Sequence, residues 1–153
     1  MKWIAIAVAA LGFVYVVVLA VLSAVSRKAP ELGLVDGRLR PCRTRTNCIS
    51  TEDTARGNPE APFEYTGDAE TALDRLASAI ALLPRARVVS RRPGYLRAEF
   101  RTPVFRFVDD LEAAVDPAGG KLQIRSASRV GRGDHGVNRA RVRELRGLFN
   151  QPK

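Results

Sequence analysis

The sequence is poor in the residues that most often build catalytic and metal centres. Its 153 residues include two cysteines and one histidine. A tetrahedral zinc site takes four ligands, so this set falls short unless a carboxylate joins it. No Walker lysine follows the glycines of the segment 131–136, and no nucleophile-elbow pattern surrounds Ser126 or Ser128. We therefore expect no metal, no cofactor and no catalytic residue.

Acidic and aromatic residues are also in the minority. The chain has 25 Lys and Arg against 16 Asp and Glu, a net charge of +9, and most of its cations are arginines. Because arginine pairs in forked geometry with carboxylate and phosphate, this excess favours an anionic lipid, an acidic partner or nucleic acid. No aromatic residues alternate with the arginines near the C-terminus to stack on bases, so we do not expect nucleic acid as a partner.

The segment 1–28 holds the one long apolar run. Trp3 to Val25 carry no charge, and Ser23 is the only strongly polar residue among them. As a helix this run is roughly 34 Å long, against about 30 Å for the hydrocarbon core of a bilayer. A cleaved signal peptide is the alternative, although its apolar region would be only about 7–15 residues long. We predict a single-pass transmembrane anchor at the N-terminus.

Two features of the sequence give opposite indications of the side of the membrane on which the rest of the chain lies. Several basic residues follow the anchor closely, and the positive-inside tendency would keep them in the cytoplasm. In contrast, Cys42 and Cys48 form a close pair with five residues between them, which indicates a local disulfide in an oxidising compartment. Two free thiols are the alternative.

The remaining chain divides into two segments of one folded unit. Residues 29–67 are rich in Pro, Gly, Thr, Asn and Arg without a helical or strand period, which predicts a tether and an irregular lobe stapled by the cysteine pair. Residues 68–153 carry the regular patterns. A helix begins at the N-cap Asp68 and stops at Pro84, and a final helix begins at the N-cap Asn138.

Four strands are predicted between these two helices. They cover residues 87–90, residues 95–101, residues 105–115, and a stretch that carries Leu122, Ile124 and Val130. Short turns join them, so neighbouring strands should pair antiparallel. We predict an α+β fold in which a transmembrane helix precedes a helix, a four-stranded antiparallel sheet and a C-terminal helix.

The most concentrated polar feature is basic and lies in the last strand, the glycine-rich bend and the last helix. We interpret it as an anion-binding surface near the bend, because guanidinium groups and the N-terminal amides of a helix both attract anions. Internal ion pairing with a solvated helix face is the alternative. The predicted anion-binding residues are Arg125, Arg129, Arg132, Asn138, Arg139 and Arg141.

An acidic cluster lies in the third predicted strand. Alternation places Asp110 and Glu112 on one face and Asp109 on the other, and the polar face of the next strand offers arginines. Cross-strand arginine–carboxylate pairs are the favoured interpretation. An enzyme pocket is the alternative, with Glu99, Asp109, Asp110, Glu112, Arg125 and Arg129 as its residues.

Four stretches carry a resemblance to a known family. They are the cysteine pair with Asn47-Cys48-Ile49-Ser50, and the segments 96–101 (LRAEFR), 105–112 (FRFVDDLE) and 125–131 (RSASRVG). They resemble the bacterial and plastid domain-of-unknown-function family number 1499. Its members usually have a proline in the loop between the cysteines, where this chain has 43–46 (RTRT). The resemblance implies an exported or membrane-attached protein, and it implies no reaction, cofactor or catalytic residue.

Together these observations predict a membrane-anchored envelope protein. We expect a non-catalytic binding domain on the periplasmic or extracytoplasmic side that recognises an anionic lipid, a glycan or an envelope protein. The first alternative is the enzyme with the carboxylate and arginine pocket. The second is a cytoplasm-facing domain that contacts nucleic acid with strongly salt-dependent affinity.

Overall fold

The computed structural model describes residues 1–44, 46–53 and 60–151, and it has the predicted α+β fold. Two helices pack on one face of an antiparallel sheet, and a long apolar helix precedes them. The helices are α1 (Lys2–Ser26), α2 (Ala69–Ala81) and α3 (Val137–Phe149). The strands are β1 (Leu34–Val35), β2 (Arg38–Leu39), β3 (Cys48–Ser50), β4 (Phe63–Glu64), β5 (Ala86–Arg92), β6 (Tyr95–Arg101), β7 (Val108–Val115) and β8 (Lys121–Ser128).

The main sheet has more strands than the sequence predicts. Its order is β3-β8-β7-β6-β5, and β4 pairs with β8 as well, so six strands replace the expected four. The two additional strands come from the segment predicted to be irregular. They contain three and two residues, too few for a period to be visible, and they form because the outer edge of β8 offers unpaired backbone groups.

Three strands differ in extent from the prediction, whereas β6 is confirmed over 95–101. The strand predicted at 87–90 is longer, Ala86–Arg92. The strand predicted to begin at Phe105 begins at Val108, because Arg106 has a φ of 57° and cannot continue a strand. The following strand ends at Ser128, so Val130 lies in the bend after it rather than in the sheet. Residues 102–107 consequently form a loop between β6 and β7.

Of the two N-cap residues predicted from the sequence, one is confirmed and the other is wrong. Asp68 caps α2 as predicted, and its carboxylate accepts a hydrogen bond from the Thr71 amide at 2.7 Å. The last helix begins at Val137, so Asn138 lies inside its first turn and is not the N-cap. The N-cap residue is Gly136, which has no side chain, and the Asp134 carboxylate accepts hydrogen bonds from the amides of Gly136 and Asn138, both at 2.9 Å. The side chain of Asn138 is buried instead.

One face of the sheet forms the apolar core with α2 and α3. Period-two alternation in β6, β7 and β8 brings their apolar residues to this face, and the helices contribute residues at helical spacing. The side chains at the centre of this core are fully buried: Leu73, Leu76, Ile80, Leu96, Leu111, Leu122, Ile124, Leu145 and Phe149.

The opposite face of the sheet is polar and is partly covered by the segment after α1. The hairpin of β1 and β2 lies over β7 and β8. Its Leu39 packs with Tyr95 and Ala114 in a small apolar cluster. The predicted disulfide between Cys42 and Cys48 is present in the same segment and ties it to the edge strand β3. The cysteine pair therefore staples the cover of the polar face.

Candidate functional site

A buried arginine lies where the polar face of the sheet meets the end of α1. The Arg129 side chain is 3% exposed, and its guanidinium donates two hydrogen bonds of 2.7 Å to the carboxylate of Asp110. It donates a third, also of 2.7 Å, to Glu99. Asp110 and Glu99 stand directly opposite each other on β7 and β6, an arrangement that is destabilising for two like charges. Arg129 relieves this repulsion by binding both.

The same guanidinium also reaches the C-terminal end of α1. Its Nη1 atom donates to the backbone carbonyls of Ser26 at 3.0 Å and Arg27 at 3.3 Å. The last carbonyls of a helix have no partner within the helix, and they form the negative end of its dipole. A buried cation at this position satisfies both needs. Arg129 thus connects α1 to the sheet, and we call this group of contacts the helix junction.

Two serines of α1 complete the helix junction. The Ser23 hydroxyl donates to the Phe105 carbonyl, and the Ser26 hydroxyl accepts from the Val108 amide at 3.2 Å. They are the buried residues of α1, whose apolar side chains are otherwise largely exposed. With a mean hydropathy of 2.9, α1 is long and apolar enough to cross a membrane, a criterion that a signal sequence also meets.

Glu112 forms a second buried ion pair on the polar face. It is fully buried and accepts hydrogen bonds from Arg125 Nη1 at 3.0 Å, from the Tyr95 hydroxyl at 2.7 Å and from the Gly33 amide at 2.8 Å. Burial raises the pKa of Tyr95, and its hydrogen bond to the Glu112 carboxylate raises that pKa further. The hydrogen bond from Gly33 fastens the segment after α1 onto the sheet.

The other face of β7 carries a separate polar network beneath α3. Asp109 pairs with Arg141 at 2.7 Å, and the Arg141 guanidinium also donates to Ser126 and to the Asn138 side chain. Ser126 donates to Asn138 at 2.6 Å, so each member has a partner. Asp109 and Asp110 therefore face opposite sides of the sheet, as alternation predicts. This network attaches α3 to the sheet.

Three arginines of α3 gather around one buried glutamate. Arg139 and Arg143 both contact the Glu60 carboxylate at 2.9 Å, and Arg146 lies 3.6 Å from it. Arg146 also donates to the carbonyls of Ala61 and Pro62. These contacts hold the segment before β4 against the helix, so this part of the basic helix face is occupied from within the protein.

The six residues predicted to bind an anion near the bend do not share one open surface. Arg125, Arg129, Arg139 and Arg141 each hold a carboxylate of the protein itself. Asn138 is buried in the network beneath α3 and does not head the helix. Among the described residues, the exposed side chain of Arg132 has no partner. The bend as a whole therefore presents one unpaired arginine.

A pocket of about 600 Å³ lies on the polar face, between the end of α1 and the disulfide loop. This volume falls in the range of small-ligand sites, which is roughly 300–1,000 Å³. We call it the membrane-proximal pocket because its wall begins at Val25 and Lys28, in and just after the last turn of α1. Its charged lining consists of five cations and two carboxylates: Lys28, Arg40, Arg43, Arg125 and Arg129, with Glu31 and Asp110.

The cations of this pocket differ in how far they are already paired. Arg40 holds Glu31 at 3.0 Å, and Arg125 and Arg129 hold buried carboxylates. The Nε atoms of Arg40 and Arg125 are buried without a hydrogen-bond partner in the described part of the chain. Within that same part, the exposed side chains of Lys28 and Arg43 are unpaired. The pocket therefore retains positive charge and donor capacity for a ligand.

The sequence reading missed three of these cations as site residues. They are Lys28, Arg40 and Arg43, which follow the anchor closely. In the sequence their positive charge indicates only which side of the membrane the chain lies on. The signal that could have placed Arg40 and Arg43 is their proximity in sequence to the cysteine pair, because a disulfide holds the residues beside it in a fixed position. Their distance in sequence from Arg125 and Arg129 hid the pocket.

The residues of the enzyme alternative are not assembled in one cavity. Of its carboxylates only Asp110 lines the membrane-proximal pocket, where Arg129 holds both of its oxygens. Asp109 lies on the opposite face, and Glu112 has no exposed surface. Burial alone would raise the pKa of Glu99, but the hydrogen bonds and charges of Arg129 and Arg101 outweigh it and hold that pKa below its usual range. A general acid requires the opposite shift.

The family described as "Protein of unknown function (DUF1499)" matches residues 38–149. The chain belongs to this family. The match takes in the disulfide loop, the whole main sheet, α2 and α3, whereas α1 and the segment up to 37 precede it. No curated protein matches the chain.

The helix junction predicts a large stability cost for loss of its arginine. In Arg129→Met, the buried Asp110 carboxylate loses its cation and Glu99 keeps only the longer contacts with Arg101 at 3.5 Å and Arg87 at 3.8 Å, so unfolding should require about 3–5 kcal/mol less. The measurement is urea unfolding of the full-length protein in detergent, followed by circular dichroism. The matched control is Arg91→Met, which removes more exposed pairs to Glu70 and Asp74 and should cost about 0–1 kcal/mol. Equal costs for the two variants would contradict the assigned role.

Proposed function

We propose that this protein is a membrane-anchored binding protein that holds the anionic headgroup of a membrane lipid in the membrane-proximal pocket. The observation that carries the proposal is the position of the pocket. Five cations line it, and its wall begins in the last turn of a helix long and apolar enough to span a bilayer. A cavity placed there opens at the level of the lipid headgroups.

The lining suits a phosphate group in particular. A phosphate carries several acceptor oxygens around a full negative charge, and arginine meets such groups with two parallel hydrogen bonds. The unpaired Lys28 and Arg43 would contribute the electrostatic attraction to the phosphate. Arg125, in contrast, is held in place by the buried carboxylate of Glu112. A headgroup is also a ligand that reaches this pocket without leaving the bilayer, so little translational freedom is lost on binding.

The disulfide supports an extracytoplasmic location for the domain. Disulfides form and persist in oxidising compartments and are rare in the cytosol. The bond between Cys42 and Cys48 lies in the loop that forms one wall of the pocket, so the proposed site depends on that compartment. The positive residues after the anchor then serve the pocket rather than cytoplasmic retention.

The other ligand classes and the enzyme have less support. A glycan or a protein partner would need no cavity at the membrane surface. Nucleic acid binding uses rows of available cations with stacking aromatics. Here most arginines of the last strand and helix are paired internally. The enzyme would need carboxylates within the pocket that are free to exchange protons, and Asp110 is held by Arg129.

Lipid retention by the full-length protein tests the proposal. The protein is placed in nanodiscs of phosphatidylcholine with a minor fraction of phosphatidylglycerol, and the lipids that stay bound after release are counted by native mass spectrometry. We expect enrichment of phosphatidylglycerol on the wild-type protein. The double variant Lys28→Gln, Arg43→Gln should lose this enrichment, because it removes the two unpaired charges of the pocket.

Two control variants separate the pocket from general surface charge. Lys121→Gln removes an exposed cation at the start of β8, the end of that strand remote from Arg129, and should leave enrichment unchanged. Arg132→Gln removes an exposed cation at the bend and should also leave enrichment unchanged. Loss of phosphatidylglycerol enrichment in this variant would indicate that the lipid binds at the anion-binding surface near the bend instead of in the pocket. Equal lipid compositions on the wild-type protein and in the bulk nanodisc would overturn the proposal.

The side of the membrane is checked by labelling the cysteines in intact cells. A membrane-impermeant maleimide should label Cys42 and Cys48 only after treatment with a reductant, and without permeabilisation of the cytoplasmic membrane. This outcome follows from a disulfide on the extracytoplasmic side. Labelling that needs permeabilisation and no reductant would place free thiols in the cytoplasm and refute the proposed location.

A further inference from the structure

The loop between β6 and β7 presents exposed apolar side chains on a well-defined backbone. Its two ends are joined by hydrogen bonds of 3.0 Å, from the Thr102 amide to the Phe107 carbonyl and from the Phe107 amide to the Thr102 hydroxyl. At its tip, the Val104 side chain is 80% exposed. The rings of Phe105 and Phe107 lie 6.0 Å apart and are half-buried. The loop therefore projects an apolar tip from a closed base.

This loop lies directly against the last turn of α1. The carbonyl of Phe105 accepts the hydrogen bond from Ser23, and the amide of Val108 donates to Ser26. Ser23 lies three residues before the end of the helix, which corresponds to about 4.5 Å along its axis. It belongs to the uncharged run that ends at Val25. The backbone of the loop at Phe105, next to Val104, is consequently level with the apolar part of α1.

The hydrogen bonds at this point suit an environment with little water. A backbone carbonyl or amide at the boundary of the hydrocarbon needs a partner from the protein, because an unsatisfied polar group there costs several kcal/mol. Ser23 supplies this partner for the Phe105 carbonyl of the loop, and Ser26 supplies it for the Val108 amide directly after the loop. They explain why an otherwise apolar helix carries two serines that are buried.

We propose that the loop 102–107 is a second membrane contact, which inserts Val104 and the adjoining aromatic side chains into the bilayer interface beside the anchor. An exposed apolar tip next to a membrane-spanning helix is covered by lipid, without the need for a protein partner. Phe105 and Phe107 lie where aromatic side chains are enriched in membrane proteins. The proposal rests on the anchoring of α1 but is independent of the pocket and its ligand.

The single tryptophan of the chain allows a direct experiment. Native Trp3, in the first turn of α1, reports whether the anchor lies in lipid. In the variant Trp3→Phe, Val104→Trp, the only tryptophan is at the loop tip, where an exposed side chain can be enlarged without disturbing the core. The matched control is Trp3→Phe, Ala118→Trp, in the turn at the far end of β7. Each full-length protein is placed in nanodiscs of brominated or plain phosphatidylcholine.

Each of the three proteins carries one tryptophan, and we expect lipid bromines to quench that tryptophan in two of them. Bromines quench by contact, so Trp3 and the tryptophan at position 104 should lose emission in brominated discs, with bromines near the headgroup acting more strongly at position 104. The tryptophan at position 118 should keep its emission and a water-exposed spectrum.

The remaining outcomes are distinguishable. If Trp3 is quenched but position 104 behaves like position 118, the anchor stands and the second membrane contact is refuted. If Trp3 is not quenched, α1 is outside the bilayer, and both the anchored protein and the second contact are refuted.

Discussion

The structure depends on one buried guanidinium. Arg129 neutralises two facing carboxylates, Asp110 and Glu99, and accommodates the carbonyls that end α1. Without it the polar face of the sheet would carry uncompensated negative charge, and the negative end of the helix dipole would add to that charge. A chain rich in arginine can build such a face because forked, permanently charged side chains pair with several acceptors at once. The buried ion pairs fix the geometry of this face.

The helix junction also determines where the other surfaces lie. Since Arg129 and the two serines hold the sheet against the last turn of α1, the membrane-proximal pocket opens beside that turn and the loop 102–107 lies level with it. The disulfide then keeps the outer wall of the pocket on the sheet edge. The proposed lipid binding and the proposed membrane contact would therefore both follow from one attachment, although they use different residues and are tested separately.

The sequence predicted those parts of the fold that have long periodic patterns. The apolar run of α1, the faces of β6 and the cap of α2 follow from local rules, and the alternation of β7 correctly separated Asp109 from Asp110. Strands of two or three residues, such as β4, have no period and exist because β8 offers an edge. The paired state of Arg139 and Arg141, and the joining of Lys28 to Arg125 in one pocket, depend on contacts far apart in the chain, which no local pattern encodes.

The central claim is that α1 and the sheet form one unit, and amide hydrogen exchange at Val108 tests it most directly. In the full-length protein in nanodiscs, the Val108 amide should exchange slowly because it donates to the Ser26 hydroxyl. Ser26→Ala should accelerate exchange at Val108 while leaving Leu111, in the middle of β7, protected. Fast exchange at Val108 in the wild-type protein, unchanged by the substitution, would mean that helix and sheet move independently and would contradict the account.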